Sequence, residues 1–204
     1  MVCASATATR SAYASVHENG RVTIRLLTIG HGTLAQDEFV ALVRGAAIEQ
    51  LVDVRTAPGS RRHPHFGRDE MAVWLPQAGV AYRWERDLGG FRRPRPDSPN
   101  TALRHPAFRG YADHMVTEQF AAALDAVLIE AAAATTTVMC AESLWWHCHR
   151  RLLSDFAVLV RGATVEHLLH DGKLSPHRLT DGVRREGDLV VYDVGETGSL
   201  LASE

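Results

Sequence analysis

Apolar residues alternate along the chain between short β-branched runs and longer segments of helical spacing. Val22-Thr23-Ile24-Arg25-Leu26-Leu27-Thr28-Ile29 is a run of the first kind, and it stops at Gly30-His31-Gly32-Thr33, a turn by composition. From Leu34 to Ala47 the positions Leu34, Phe39, Leu42, Val43 and Ala46 share one helical face, with Thr33 placed to cap the N-terminus. Leu51-Val52-Asp53-Val54 is too brief for a helix. A strand, helix and strand at this spacing force a parallel pair with a right-handed crossover.

The rhythm then repeats. A helix is predicted from about Arg68 to Ala78, ended by Gly79, and Val80 to Trp84 reads as the third strand. Leu88-Gly89-Gly90-Phe91 leads into a Pro- and Arg-rich stretch reaching Pro99, a connection longer than compact domains ordinarily carry unless it is functional or disordered. Tyr111 to Ala134 is helical with a break near Thr117, and Thr135 to Cys140 is a strand apolar enough to be buried on both sides. A helix from Cys148 to Arg161 and a strand over Val165–Leu169 follow, and Leu189 to Val194 adds an edge strand or a hairpin arm. The expected fold is α/β: an open, largely parallel sheet with helices on both faces, in a single domain over residues 21–204. Residues 1–20, rich in Ala, Ser and Thr without apolar periodicity, read as a flexible tail.

Composition narrows the function classes. The chain has 204 residues, 46% of them apolar and 23% charged, which suits one folded domain. No stretch is long and apolar enough for a membrane span, and the N-terminus lacks the apolar core of a signal peptide, so a cytoplasmic protein without membrane partners is expected. The three cysteines, Cys3, Cys140 and Cys148, fit thiols or ligands better than a disulfide framework. A net charge of −2 argues against bulk attraction to nucleic acid, although residues 55–109 hold eleven Arg against five acids and form a candidate anion-binding face.

Ligands of doubly wound sheets bind beyond the carboxyl ends of the strands. Those ends carry Gly30-His31-Gly32-Thr33, Asp53-Val54-Arg55, Cys140-Ala141-Glu142 and the residues from His167 onward, all expected at one rim. The densest constellation is Cys140-Ala141-Glu142 followed by Trp145-Trp146-His147-Cys148-His149-Arg150, with the last three at a helix start that favours an anion or a thiolate. Several readings stand side by side. Glu142 is a base or nucleophile, with Arg150 and Arg55 orienting an anionic substrate. Alternatively, Cys148 or Cys140 is a nucleophile made thiolate by His149 or Arg150. A metal held by Cys140, Cys148 and a His ranks last, because seven intervening residues match no standard zinc spacing. The plain alternative is structural: Cys140 a small buried hydrophobe, Cys148 packing the helix, and Glu142 with Arg150 an ion pair. Asp53 and Arg55, on alternate positions of one strand, either pair with each other or divide catalytic and binding roles. His31 and Thr33 could cradle a phosphate, and Trp145 or Trp146 could stack on a base.

Taken together these motifs resemble a family known as domain of unknown function 488. The likeness is carried by Thr28 to Thr33, Leu51 to Arg55 with Pro58 and Ser60, Tyr82 to Gly90, Phe108-Arg109-Gly110-Tyr111-Ala112, Met139 to Glu142, Cys148-His149-Arg150 and Pro176 to Thr180. Gly32-Thr33 departs from the Ser that usually ends the first motif, and Leu144-Trp145-Trp146 adds bulk between two others. The resemblance implies the fold and a site, and no activity. The leading expectation is hydrolase or glycosylase-type chemistry on a phosphate-bearing substrate, a nucleotide or nucleic acid, without a cofactor. Glu142, Cys148, His149, Cys140 and Asp53 are its candidate reacting groups, and Arg55, Arg150, His31, Thr33, Tyr111 and Trp145 its candidate substrate contacts. A thiol enzyme or redox sensor using Cys148 or Cys140, and a non-catalytic binding module using the Arg-rich segment, are the alternatives.

Overall fold

The computed structural model describes residues 16–18, 21–59 and 61–193. Most of the expected N-terminal tail, Ser60, Cys3 and Val194 therefore lie outside the described residues. Val16–Glu18 (β1) pairs antiparallel with Arg21–Thr23 (β2), so the run that reads as one strand from Val22 is two, interrupted at Ile24. Arg25–Gly30 (β3) enters the main sheet.

From there the alternation is as expected: Gln36–Gly45 (α1), Gln50–Asp53 (β4), Arg68–Gln77 (α2), Ala81–Trp84 (β5), Pro106–His114 (α3), Glu118–Ala133 (α4), Thr136–Cys140 (β6), Arg150–Leu159 (α5) and Thr164–Leu168 (β7). The break near Thr117 separates α3 from α4, and Thr117 caps α4 by accepting from the Phe120 amide at 3.3 Å. Thr33 does not cap α1. The helix begins at Gln36, and Glu38 reaches back to accept from the Ala35 amide at 2.8 Å, so a carboxylate does the work expected of the hydroxyl.

Six strands form the main sheet in the order β5-β4-β6-β3-β7, with Leu174–Pro176 (β8) completing one edge. All neighbouring pairs are parallel except β7 and β8. Leu189–Tyr192 (β10) is a hairpin arm, paired with Val183–Glu186 (β9) outside this sheet. Its Val190 and Tyr192 enter the core with α4 and α5.

Side chains of successive strand residues point to opposite faces, and this parity sorts the core into two halves. Leu26, Val52, Val54, Val138, Cys140 and Val165 pack with Phe120 and Leu124 of α4 and Leu152, Leu153 and Phe156 of α5. Leu27, Ile29, Leu51, Met139 and Leu168 pack with Phe39 and Val43 of α1 and Met71 and Leu75 of α2. Chain direction explains the division. From β3 through β4 to β5 the chain moves toward one edge, and from β5 through β6 to β7 it moves back toward the other. Right-handed crossovers then place the two sets of helices on opposite faces. The β3 and β6 ends are adjacent, and their loops leave to opposite sides. That divergence is the crevice where doubly wound sheets bind ligands. Among the described residues no helix is long and apolar enough to cross a membrane.

Candidate thiol site

Gly30 and Cys140 stand opposite each other at the ends of β3 and β6, and backbone pairing continues past them from His31 N to Cys140 O (3.0 Å) and Gly32 N to Ala141 O (2.9 Å). Residues 141–149 then turn under the sheet end to start α5. Gly30 is required there: a Cβ at this position would overlap the Glu142 carbonyl and approach the Arg150 guanidinium. That close approach lets the buried Arg150 donate to the carbonyl of Glu142.

The turn delivers Cys148 and His149 beside Cys140. His149 Nδ1 lies 3.8 Å from Cys140 Sγ and 3.6 Å from Cys148 Sγ. Its Nε2 lies 3.1 Å from the Val54 carbonyl oxygen, which can only accept, so Nε2 carries a hydrogen and Nδ1 is the ring atom that faces the sulfurs. Both cysteines are free thiols and are buried, 9% and 4% exposed. Arg150 Nε donates to Cys148 Sγ at 3.4 Å. Burial alone would push Cys148 up. Donation from Cys140, with the charges of His149 and Arg150, outweighs this and holds Cys148 well below the ordinary thiol range. Cys140, donating to Cys148 and buried, is pushed well above it. The two thiols therefore titrate as a pair, with Cys148 the more acidic partner.

Behind Arg150 runs a directed chain of hydrogen bonds. Its NH1 donates to Thr28 Oγ1 (3.4 Å), which contacts His167 Nδ1 (2.7 Å); His167 Nε2 meets His177 Nδ1 (3.0 Å), and His177 Nε2 meets Asp155 Oδ1 (2.9 Å). The carboxylate at the far end fixes every direction, so with neutral rings each group donates toward Asp155, from a cation to an anion. Asp155 also accepts from Tyr192 Oη (3.0 Å) and the Thr180 amide (3.0 Å). Burial, His177 and Arg150 depress His167 to about 2, keeping it neutral.

The other candidates take separate places. Trp145 stacks on His167, centroids 4.0 Å apart, so its face is occupied from within the chain. Tyr111 is fully buried, donates to the Leu88 carbonyl (3.0 Å) and lies edge-on to His149; burial, then Cys148, raises its phenol well above the usual range. Glu142 is exposed, and its carboxylate accepts from the Leu144 amide (3.4 Å), so the expected ion pair with Arg150 is replaced by a contact through its backbone carbonyl. Thr33 is exposed.

Asp53, Arg55 and His31 are at the same sheet end but on the opposite face. Arg55 grips Asp53 through Nε (2.8 Å) and NH2 (2.5 Å) and gives NH1 to His31 Nε2 (3.2 Å). Tyr82 adds a hydrogen bond to Asp53 (2.9 Å), and His31 stacks on Phe66. Burial and the Arg55 charge hold His31 at about 3. The common rim therefore carries two clusters, divided by strand parity: Asp53 and Arg55 point with Leu51 toward α1 and α2, whereas Cys140 points with Val138 toward α4 and α5. A surface cleft of about 500 Å³ lined by Pro58, Gly59, Pro64, Gly67, Arg68 and Glu70 shares no residue with the sulfur cluster.

Sequence reasoning missed the relay. His167 lies inside β7, within the strand expected over Val165–Leu169, but its partners His177, Asp155 and Tyr192 carried no site assignment. One usable signal was present: Thr28 and Gly30 share parity, so Thr28 had to face the side on which Gly30 meets the Glu142 turn.

The fold and this geometry define a doubly wound α/β protein with two buried thiols and an imidazole at its topological switch point. The family model described as domain of unknown function DUF488 matches residues 35–157, more than half of the chain, and the chain belongs to that family. The matched stretch holds Cys140, Cys148, His149 and Arg150; Thr28, His31, His167 and His177 fall outside it. No curated protein and no solved structure matches the chain.

Proposed function

We propose that this protein is a thiol-based enzyme or redox sensor whose working atoms are the sulfurs of Cys148 and Cys140. The observation that carries the reading is the convergence of two free sulfurs and an imidazole nitrogen within 4.8 Å of one another at a strand end, against a guanidinium. Cys148, backed by Arg150, is the attacking sulfur, and Cys140 resolves. Thiols this enclosed admit a small oxidant, and a hydroperoxide balances the chemistry. The Cys148 thiolate attacks one peroxide oxygen, forming S–O and breaking O–O, and the other oxygen leaves as an alcohol or water after taking a proton. Cys140 then attacks the sulfenic sulfur: S–S forms, S–O breaks, and the hydroxide leaves as water with the Cys140 proton, through His149 Nδ1.

A phosphate-bearing substrate has less support. Arg55 is committed to Asp53 and His31, and Arg150 to sulfur, hydroxyl and carbonyl groups, so neither presents a free fork to an anion. In the Arg-rich segment Arg68, Arg83 and Arg95 pair with acids and Arg109 with the Leu103 carbonyl, which tempers its use as a phosphate-tracking face.

Substoichiometric iodoacetamide at neutral pH, read by peptide mass spectrometry on the folded full-length chain, tests the reading. Cys148 should label ahead of Cys140. Dilute hydrogen peroxide should then yield an intramolecular disulfide, and C140S should stop at a trappable sulfenic acid. Thiols that stay unlabelled and masses unchanged by peroxide would remove the proposal.

A further inference from the structure

We infer that Cys140, Cys148 and His149 form a three-donor site for a zinc-class divalent metal ion, an inference resting on the reading that the two sulfurs are the site's working atoms. Spacing in the sequence ranked such a site last, because one donor ends a strand and the others precede a helix, so seven residues intervene between the cysteines. The atoms nevertheless have coordination geometry. A tetrahedral ion with metal–sulfur and metal–nitrogen bonds of about 2.3 and 2.0–2.1 Å separates nitrogen from each sulfur by about 3.6 Å, and the sulfurs by about 3.8 Å. The observed Nδ1 to sulfur distances are 3.6 and 3.8 Å, and all three donor atoms lie within 4.8 Å of one another.

The outer contacts agree. Metal-bound histidines characteristically donate the other ring N–H to a carbonyl or carboxylate, which fixes the tautomer that presents a lone pair to the ion. Here Val54 O accepts from His149 Nε2, and Gly90 backs the ring so closely that a Cβ would stand 2.9 Å from Nδ1. Arg150 Nε reaches Cys148 Sγ from outside, a hydrogen bond that a metal-bound thiolate retains. Its positive charge opposes a dication, but two thiolates neutralise the ion, and the Cys140 proton leaves to solvent on binding. Two sulfurs and an imidazole select a borderline-soft tetrahedral ion over magnesium or calcium, which take oxygen. Three donors, rather than four, is also the count of zinc sites that do chemistry. Metal and disulfide use the same sulfurs, so the reduced pair holds the ion and the oxidised pair cannot.

The test is anaerobic titration of the reduced full-length protein with cobalt(II), followed by displacement with zinc. One equivalent should bring in thiolate-to-cobalt charge transfer and tetrahedral ligand-field bands, and bound zinc should shield both thiols from iodoacetamide. C140S, C148S and H149Q, each checked for folding by circular dichroism, should bind roughly a hundredfold or more weakly, at or beyond the upper end for loss of an outer-shell partner. The wild-type bands need no variant to be read. Absence of those bands while Cys148 alkylates freely would overturn the metal site and leave the thiol reading standing. Saturable binding that survives in C148S would place the ion elsewhere and also overturn it. Neither bands nor alkylation would remove both.

Discussion

On one face of the sheet end, Arg55 spends its nitrogens on a carboxylate, a neutral imidazole and the Met71 thioether; on the other, Arg150 spreads its own over a thiol sulfur, a hydroxyl and two backbone carbonyls. Both guanidiniums are buried. Arg55 meets an anion bidentately, and Tyr82 and the Arg55 amide also donate to that anion, so the cluster is saturated. Among the described residues Arg150 has no carboxylate in contact. It donates to the Cys148 sulfur, and Asp155 is reached only through three intervening side chains. Groups of similar type thus sit in different surroundings: a closed ion pair at the end of β4 tied to Tyr82 and His31, and a cation set against a thiol, a hydroxyl and backbone carbonyls.

The contrast can be broken most forcefully at Asp53. Replacing Asp53 by Asn leaves the Arg55 charge buried without its partner and should cost about 3–5 kcal/mol in urea unfolding. The alkylation rate of Cys148 in the molecules that remain folded should not change. A smaller effect is expected at the other cluster: T28V strands His167 Nδ1 and removes an Arg150 acceptor, for about 1–3 kcal/mol. It should also slow Cys148 alkylation, which a purely structural Thr28 would not do.

Acid should probe the saturated cluster. His31 is neutral in the fold down to about 3, while the unfolded imidazole protonates near 6.5. The unfolded state therefore binds the extra proton as pH falls through 6.5, and stability declines toward pH 3 by about 1.4 kcal/mol per pH unit for this group. Unfolding free energy measured across that range should fall less steeply, by that amount, in H31N; an identical slope would mean that His31 is not held neutral. Smallest of all should be Y82F, which removes one of several hydrogen bonds to Asp53 and should cost about 1 kcal/mol.

Much of this was legible in the chain. Strand runs, glycine stops and the break at Thr117 led to the α/β order, and the cluster from Cys140 to Arg150 stood out by composition. Three things were misjudged for physical reasons. Thr33 lost the cap of α1 to Glu38, because the helix begins later and a longer side chain reaches back. Ion-pair logic linked Glu142 to Arg150, but the tight passage at Gly30 hands Arg150 the Glu142 carbonyl instead. His31, Asp53, Arg55 and the cysteines do reach one rim, but not one site, because alternation along β4 and β6 divides them between its two faces.

Local pattern alone determined where the parallel strands and their helices form and which residue types arrive at the sheet end, since both follow from propensity and periodicity over a few neighbouring positions; it did not show β1, β8 or β9. Only the tertiary structure decided which of those groups meet. Cys140 and Cys148 come together because the loop after β6 turns toward α5, and His177 reaches Asp155 because β8 returns antiparallel along β7. Such encounters depend on the closure of long loops and on the hand of the crossovers, and no short window of sequence encodes either one.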